Sequence, residues 1–384
     1  MKTKSKRTGG QILGIVFYMT IGAACGILIL NYIEKLPLAE MPAGGLLLFI
    51  PLLLSVYAAL LLQIVIHEAG HLVFGLATGY QFVSFRVWSL MWLKKDGKLL
   101  FKRMSLAGTG GQCLMSPPDL VDGKMPVLLY NFGGAIMNLI ASAVFLTAFF
   151  LFPAVSFFTV FFRILALIGI AFAFMNGVPL HLGPADNDGA NALALMRNEE
   201  AVRAFWLQLK ANAEASSGRR LRDMPDDWFT VPDDSAMNNS MIAATGVLAC
   251  SRLMDEHRFA EADGLMEHML SIESRIVPLH RSLMVCDRIF LELIGGNDPD
   301  KLNSLLTKEQ KKMMKASETA PSVLRTEYAY ALLAEQDTEK AKQLEAKFDR
   351  IASAYPYSGE LSGEKEFMQI IRAHADRKEK ETRP

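Results

Sequence analysis

The chain is poor in cysteine and has no excess of charge of either sign. Its four cysteines, Cys25, Cys113, Cys250 and Cys286, form no CxxC pair, which argues against a disulfide framework and against a thiolate zinc site. The 40 basic and 40 acidic residues give a formal net charge of zero. No basic stripe or arginine-rich run stands out, so nucleic acid is not an expected partner.

Apolar residues are abundant instead, at 51% of 384 residues, which is high for a soluble protein. They concentrate in the first half of the chain, whereas the remainder is rich in Glu, Lys, Asp and Arg. A hydrocarbon core of ~30 Å needs about 20 apolar residues in a helix. The sequence therefore predicts a mainly α-helical, polytopic membrane protein, with the lipid bilayer as a partner and with spans at 11–33, 45–78, 127–152 and 155–180.

The loops between the spans differ in their content of lysine and arginine. Basic residues cluster in segment 1–7 and again in segment 94–103, between the second and third spans, whereas segment 34–44 has almost none. Because cytoplasmic loops carry the excess of positive charge, this pattern predicts a multi-pass protein of the cell membrane. Its N-terminus and its C-terminal domain are predicted to be cytoplasmic.

The same patterns divide the chain into three regions. Residues 1–44 are predicted to form an N-terminal transmembrane helix and outer loop, residues 45–190 a membrane core with a loop at 79–126, and residues 191–384 a soluble helical domain. Within the loop, β-branched and aromatic residues at 82–88 and the Lys95-Asp-Gly-Lys98 turn predict a membrane-associated β-hairpin.

The last region has the periodicity of amphipathic helices. Its segment 328–356 resembles a degenerate tetratricopeptide unit, which favours a cytosolic protein partner for the tail. A plain helical bundle without a repeat is the alternative.

The second span carries ionisable residues in a pattern that binds metal. His67 and His71 are four residues apart, on one face of a helix, and Glu68 lies beside that face. In zinc hydrolases with this pattern, the metal acidifies a water molecule and the glutamate takes its proton. Chance spacing is the alternative, but an ionisable residue at the centre of a span costs about 2.5–3.5 kcal/mol on insertion scales, and metal coordination offsets that cost.

A catalytic zinc has three protein ligands and an open fourth position, so a third ligand must come from elsewhere in the chain. Proline and glycine residues break the end of the fourth span within segment 174–189. Asp186, Asp188 and His181 are the candidate ligands there. If the second and fourth spans both run inward, this broken end comes level with the two histidines, on the cytoplasmic side of the membrane.

These motifs together resemble those of the site-2 protease family of intramembrane zinc metalloproteases. The resemblance covers residues 45–190 and rests on His67-Glu68-x-x-His71 in one span, and on Asn176-x-x-Pro179 and Asp188-Gly189 at the end of another. It implies that Asp188 is the third zinc ligand and that Asn176 contacts the substrate backbone. The gap between Pro179 and Asp188 is longer than in the best-known members, which leaves Asp186 and His181 as alternatives.

The third span adds Gly133-Gly134-Ala-Ile-Met-Asn138, similar to the small-residue and asparagine signature of the same family. Ala135 stands where that family commonly has a proline. Tight helix packing is enough to explain the small residues.

The resemblance implies an enzyme, a zinc metalloendopeptidase with one Zn²⁺ per chain. It would cleave membrane-spanning or membrane-associated peptides near the cytoplasmic face, with Glu68 as base and Asn176 orienting the carbonyl or stabilising the oxyanion. The alternative is a non-enzymatic membrane adaptor with a structural metal site and a partner-binding tail. A transporter is disfavoured because the four spans show no inverted repeat.

Overall fold

The computed structural model describes residues 9–34, 44–104, 110–152, 156–180 and 186–382. The described chain is mainly helical, at 73%, with a small amount of antiparallel β-structure. It divides into two compact units. Met1–Val87 and Gly110–Val202 form the first, called the membrane unit, and Trp88–Thr109 and Arg203–Pro384 form the second, called the helical unit.

The membrane unit contains four long apolar helices. These are α1 (Gly9–Ile33), α2 (Gly44–Ala77), α3 (Leu128–Leu151) and α4 (Phe157–Gly177). Each has a segment long and apolar enough to cross a membrane, which confirms the predicted number of candidate spans and fits a membrane protein. Large apolar side chains such as Leu54, Val144 and Phe158 point outward, as expected for helices that face lipid.

The fourth span is shorter than predicted at its C-terminal end. Helix α4 stops at Gly177 rather than at residue 180, because Val178 is extended, with φ −75° and ψ 124°. The residue before a proline is disfavoured in the helical region, and Pro179 follows Val178 directly. The chain then enters α5 (Asp188–Met196), which packs on α3 and α4. That packing places residues 191–202 in the membrane unit, beyond the boundary predicted at residue 190.

Helices α2 and α3 approach each other more closely than side chains normally permit. A Cβ atom added to Gly70 would lie 2.2 Å from the carbonyl oxygen of Gly133, and one added to Gly133 would lie 2.7 Å from the carbonyl oxygen of Gly70. Only glycine at both positions permits this backbone contact. The contact brings α3 beside the turn of α2 that carries His67 and His71.

The β-structure differs in detail from the predicted hairpin. In the membrane unit, β1 (Gln81–Val87) pairs antiparallel with β4 (Gly111–Ser116), and in the helical unit β2 (Leu90–Lys95) pairs with β3 (Lys98–Arg103). The predicted turn is present, with left-handed φ values at Asp96 and Gly97. A single hairpin over 82–103 is wrong, because Trp88, with φ 55°, reverses the chain and leaves 90–95 free to form a strand of its own.

The helical unit is built from helices that pack around one apolar core. After α6 (Glu199–Ser217), its helices are α7 (Ser240–Asp255), α8 (Phe259–Ser271), α9 (Pro278–Ile294), α10 (Pro299–Leu305), α11 (Lys308–Ala316), α12 (Pro321–Ala329), α13 (Thr338–Ala354) and α14 (Ser358–Thr382). Met266, Phe290 and Leu324 lie at the centre of the core and are fully buried. The tetratricopeptide-like character of this unit stays a prediction.

Candidate metal centre

Three side chains of the membrane unit converge on one point. The Nε2 atoms of His67 and His71 lie 3.1 and 3.5 Å from Oδ2 of Asp188, and they lie 3.2 Å from each other. Within the described residues this is the one group of at least three His, Cys, Asp or Glu side chains whose ligand atoms lie close enough to share a metal ion. The structure thus brings together the three ligands predicted from the sequence.

The separations between these atoms match the edges of a small coordination tetrahedron. Zinc bonds of about 2.0–2.1 Å at tetrahedral angles place neighbouring ligand atoms ~3.3 Å apart. The three observed separations, from 3.1 to 3.5 Å, bracket that value. The three atoms could therefore hold one metal ion between them.

Hydrogen bonds on the far side of each imidazole determine which nitrogen faces the centre. His71 Nδ1 lies 2.7 Å from the carbonyl oxygen of Tyr130, and His67 Nδ1 lies 2.8 Å from Oδ1 of Asn138. Both oxygens are acceptors, so each Nδ1 carries the hydrogen and donates it. In the neutral rings, each Nε2 therefore presents a lone pair to the centre, as a metal ligand must.

The third atom at the centre is also an acceptor without a donor. Asp188 Oδ2 is buried and has no hydrogen-bond partner among the described residues. Burial alone would raise the pKa of the Asp188 carboxyl, but its contacts with His67 and His71 lower it, so that the pKa lies well below its ordinary value. An anionic oxygen and two imidazole lone pairs then face one another, and a bound cation neutralises that arrangement.

The amide of Asn138 is itself held in place by a chain of hydrogen bonds across three helices. Its Nδ2 donates to the backbone oxygen of Gln63 at 3.1 Å and to Gln63 Oε1 at 2.7 Å. Gln63 Nε2 in turn donates to the carbonyl oxygen of Leu165 on α4 at 2.8 Å. These bonds fix the orientation of the Asn138 amide, and with it the ring of His67.

Sequence analysis did not assign a role to Asn138 or Gln63. The available signal was their position, since two amide side chains lie within apolar spans, where polar groups need partners. Gly134, which lies in the same segment 133–138 as Asn138, has a steric role. A Cβ atom on Gly134 would lie 2.4 Å from Cε1 of His67, so the ring occupies the space that a side chain would need.

Glu68 is buried at the same level of the membrane unit, against strand β4. A Cβ atom on Gly111 would lie 2.5 Å from Glu68 Oε1, so the carboxyl group packs directly on the backbone of that strand. It also accepts a hydrogen bond from the backbone of Cys113. Glu68 is not among the three converging side chains.

Asp188 reaches the centre because Asn187 ties the broken end of α4 to the start of α5. Asn187 Oδ1 accepts from the backbone N–H groups of Ala190 and Leu180, and its Nδ2 donates to the carbonyl oxygens of Met175 and Val178. These four bonds satisfy backbone groups that the break exposes. Sequence analysis missed Asn187, although its type and its place before a helix are typical of an N-cap.

The remaining predicted residues lie in different settings. Asn176 is half-buried near the end of α4, where its Nδ2 donates to the carbonyl oxygen of Phe172 at 2.9 Å, within its own helix. Asp186 is described, but it is not part of the converging group. His181 lies outside the described residues.

Comparisons of the chain with protein-family models, with curated proteins and with solved structures found no match. The class of the protein is therefore defined by its own features. It is a protein with four apolar helices that fit a membrane, and it carries a His–His–Asp group that can bind a metal ion.

Proposed function

We propose that the protein is an intramembrane zinc metalloprotease, similar to the site-2 protease family, that cleaves membrane-spanning or membrane-associated peptides. The observation that carries this proposal is the meeting of two imidazole nitrogens and one carboxylate oxygen, with 3.1 to 3.5 Å between them, beside a glutamate that does not belong to the group. Two histidines and one carboxylate are a ligand set found in zinc proteases.

His67, His71 and Asp188 would hold the ion. Zinc bound there would polarise the peptide carbonyl and lower the pKa of a water molecule to about 7. Glu68 would take the proton of that water and pass it to the leaving amine. The position of Glu68, buried against β4 and next in sequence to His67, supports this role.

The number of ligands favours catalysis over a purely structural role. Structural zinc sites are usually closed by four protein ligands, whereas catalytic sites keep one position open. Within the described residues the group has three members. A membrane adaptor with a structural metal site remains the second candidate, and it predicts a fourth protein ligand.

Strand β4 offers a means of holding the substrate extended. A transmembrane peptide engages its amides in its own helix, so cleavage requires local unwinding. Among the described strands, β4 pairs along one side only, with β1, and its Gly111 lies against Glu68. A substrate strand added to the other side would bring its backbone next to the base. Asn176, whose Nδ2 has a second hydrogen besides the one donated to Phe172, would orient the substrate carbonyl.

In this proposal the protein is a multi-pass protein of the cell membrane that cleaves near the cytoplasmic face. Its N-terminus and helical unit would lie in the cytoplasm, where the helical unit would meet a protein partner. The basic segments 1–7 and 94–103 support that orientation.

The experiment that tests the proposal separates metal binding from catalysis. Full-length wild type and Glu68→Gln are purified in detergent for zinc analysis, and membrane peptides are compared between cells that produce each protein. We expect one zinc per chain in both proteins, and cleavage products from the wild type only, since loss of a general base costs about 10²–10⁴-fold in rate. Glu199→Gln, an exposed change at the start of α6, serves as the control that keeps activity.

Two outcomes contradict the proposal. A wild type without zinc removes its basis, and parental cleavage by Glu68→Gln removes the mechanism. Zinc in both proteins with identical peptide profiles would favour the adaptor.

A further inference from the structure

The helical unit contains a second candidate site, far from the metal ligands in sequence. A cavity of about 230 Å³ lies between α6, α7, α9, α12 and α14. Its apolar wall includes Leu248, Leu283 and Phe367, and four carboxylates, Asp255, Asp287, Glu360 and Glu364, also line it. This volume is below the ~300 Å³ at which pockets begin to accept drug-sized ligands, so it suits a single side chain or a small molecule.

Two of the four carboxylates accept hydrogen bonds from arginines. Asp255 Oδ1 accepts from Arg220 through Nε at 3.0 Å and Nη2 at 2.5 Å. Asp287 Oδ1 accepts from Nη2 of Arg325 at 2.5 Å. Arg219, the one basic residue among those that line the cavity, donates to the carbonyl oxygen of Asp223. The hydrogen bonds of these arginines go to groups other than Glu360 and Glu364.

Glu360 and Glu364 are one turn apart on α14 and face the cavity together. Glu364 is only 7% exposed, and its Oε2 atom has no hydrogen-bond partner. Glu360 is exposed at the cavity and accepts from the hydroxyl of Tyr355 at 2.9 Å. A buried carboxylate oxygen without a donor is costly to the folded state, and a bound ligand removes that cost.

Arg325 forms an ion pair with Glu364 but donates no hydrogen bond to it. Its Nε lies 3.4 Å from Glu364 Oε2 and makes no hydrogen bond with it. The guanidinium is bound to Asp287 and stacks over the rings of Phe290 and Phe367, at 4.6 and 5.2 Å. These contacts hold the guanidinium, and Glu364, which lines the cavity, keeps an Oε2 atom that accepts no hydrogen bond.

The surroundings of Glu364 also affect its protonation. Burial raises the pKa of its carboxyl; Arg325 opposes this, Asp287, Glu360 and Asp255 add to it, and the pKa lies at about 8. Near neutral pH the group therefore holds its proton for much of the time. A ligand cation would displace that proton.

The shape of the site favours an organic cation over a metal ion. Within the described residues, only His67, His71 and Asp188 converge closely enough for metal ligation, so the carboxylates of the cavity do not. The apolar wall would also leave a hydrated ion without partners. An aliphatic chain that ends in a charged nitrogen matches both the apolar side chains and the carboxylates that line the cavity.

We propose that this cavity binds an ammonium or guanidinium group on a short aliphatic stem, with Glu360 and Glu364 holding the charged head and Leu248, Leu283 and Phe367 covering the stem. The lysine or arginine side chain of a peptide and a free aliphatic diamine share this chemistry. The site is independent of the proposed protease activity.

The test uses full-length protein in detergent and three probes in calorimetric titrations. Nα-acetyl-lysine methylamide should bind saturably, and the uncharged Nα-acetyl-norleucine methylamide at least about tenfold more weakly, as expected for loss of a charged hydrogen bond. Glu360→Gln and Glu364→Gln should each weaken lysine binding roughly tenfold. Asp376→Asn, an exposed change on the same helix, should leave it unchanged.

The third probe, 1,5-diaminopentane, distinguishes the sources. Tighter binding of the diamine than of the blocked lysine assigns the site to a free amine, and the reverse assigns it to a peptide side chain. Binding should also strengthen between about pH 6.5 and 8.5, by no more than about tenfold per pH unit, because one proton leaves Glu364.

Three results would overturn the proposal: equal binding of the norleucine probe, no saturable binding of either amine, or wild-type affinity in both glutamine variants. Chelation of zinc should not alter the titration. Failure of the protease proposal would therefore leave this test unaffected.

Discussion

At the scale of single residues, the metal centre depends on groups that would never touch the ion. His67 and His71 present lone pairs inward because Asn138 and the backbone of Tyr130 accept their Nδ1 hydrogens. Tyr130 is held in place on two sides. Its hydroxyl donates to the carbonyl oxygen of Cys113, and its ring stacks on that of Tyr80 with 4.6 Å between the ring centroids. The acceptor for His67 is the side chain of Asn138, whereas the acceptor for His71 is a backbone oxygen. A substitution can remove the first but not the second, so Asn138 is the better target for mutation.

Replacement of Asn138 by leucine should lower zinc affinity by about 10–100-fold, because the ring of His67 loses the partner that sets its tautomer and orientation. Competition between the purified protein and a zinc-chelating dye measures the change. The matched control is Asn131→Leu on the same helix, since that amide is equally buried but donates only to Val127 of its own helix. Equal losses in the two variants would mean that Asn138 acts through packing alone.

At the scale of secondary-structure elements, the junction between α4 and α5 places the third ligand. Helix α4 ends just before Pro179. The chain then turns back toward α2, where Asp188 contacts His67 and His71. Asn187 bonds to both sides of the break, and a Cβ on Gly189 would lie 2.2 Å from the carbonyl oxygen of Gly177. The junction is thus held by one amide and one close backbone contact.

Replacement of Asn187 by alanine should reduce zinc affinity more than tenfold while the four helices remain folded. The change removes four hydrogen bonds at one side chain, and each is worth about 0.5–1.5 kcal/mol. Dye competition and circular dichroism on the same sample separate the two effects.

Asn198→Ala is the control, because Asn198 is also an N-cap asparagine but makes a single capping bond, to Ala201 at the start of α6. If Asn187→Ala bound zinc as the wild type does, Asp188 would owe its position to other contacts.

The features that could be predicted from the sequence are those that depend on residues close together in the chain. Runs of apolar residues identified the four spans, and the spacing of His67 and His71 identified the two ligands of one helix. The partners of those ligands depend on which helix faces act together. Asn138, Gln63 and Leu165 come from three helices, and no local pattern records their contact. Strand β4 was missed for a similar reason, because its pairing with β1 is not local.

At the scale of the whole molecule, the two units offer separate experimental signals. All four tryptophans, Trp88, Trp92, Trp206 and Trp228, lie in the helical unit, so tryptophan fluorescence is a signal from that unit. The membrane unit has its own reporter in Cys113, which is buried, with a pKa raised by burial to about 12. Its thiol should react slowly until the unit opens.

Removal of zinc should destabilise the membrane unit selectively. Free zinc at about 100 times its dissociation constant stabilises the bound state by about 2.7 kcal/mol, and chelation removes that contribution. Maleimide labelling of Cys113, followed by mass spectrometry, should accelerate on chelation and slow again when zinc is restored. Labelling of Cys250 in the helical unit should not change.

His71→Ala is the control for this prediction, because without a ligand the labelling of Cys113 should no longer respond to zinc. A chelator effect of equal size at Cys113 and Cys250 would show general unfolding instead.

The stability of the helical unit should change with pH through Glu364. The direction is opposite to that expected for a carboxylate in a salt bridge, whose pKa is lowered by folding. The pKa of Glu364 is raised from 4.5 to about 8 in the folded unit, mainly by burial, so the folded state binds this proton more tightly than the unfolded chain does. Its contribution to stability is complete below about pH 4.5 and is lost as the pH rises through 8.

Glu364→Gln should therefore raise the free energy of unfolding above about pH 8 by roughly 1–3 kcal/mol, and change it little near pH 4.5. Thermal unfolding followed by tryptophan fluorescence measures both conditions. Asp376→Asn should follow the wild-type profile. Parallel profiles of wild type and Glu364→Gln would indicate that Glu364 is ionised throughout.

The contact between Gly70 and Gly133 restricts how a substrate reaches the proposed catalytic site. The backbones of α2 and α3 touch there, whereas a substrate helix is about 10–12 Å wide with its side chains. Passage between these two helices would separate His67 and His71 from Asn138 and Tyr130, and so dismantle the site before cleavage. If the protein is a protease as proposed, lateral access is closed on this side, and a membrane peptide would approach by the face of α2 where Glu68 meets β4.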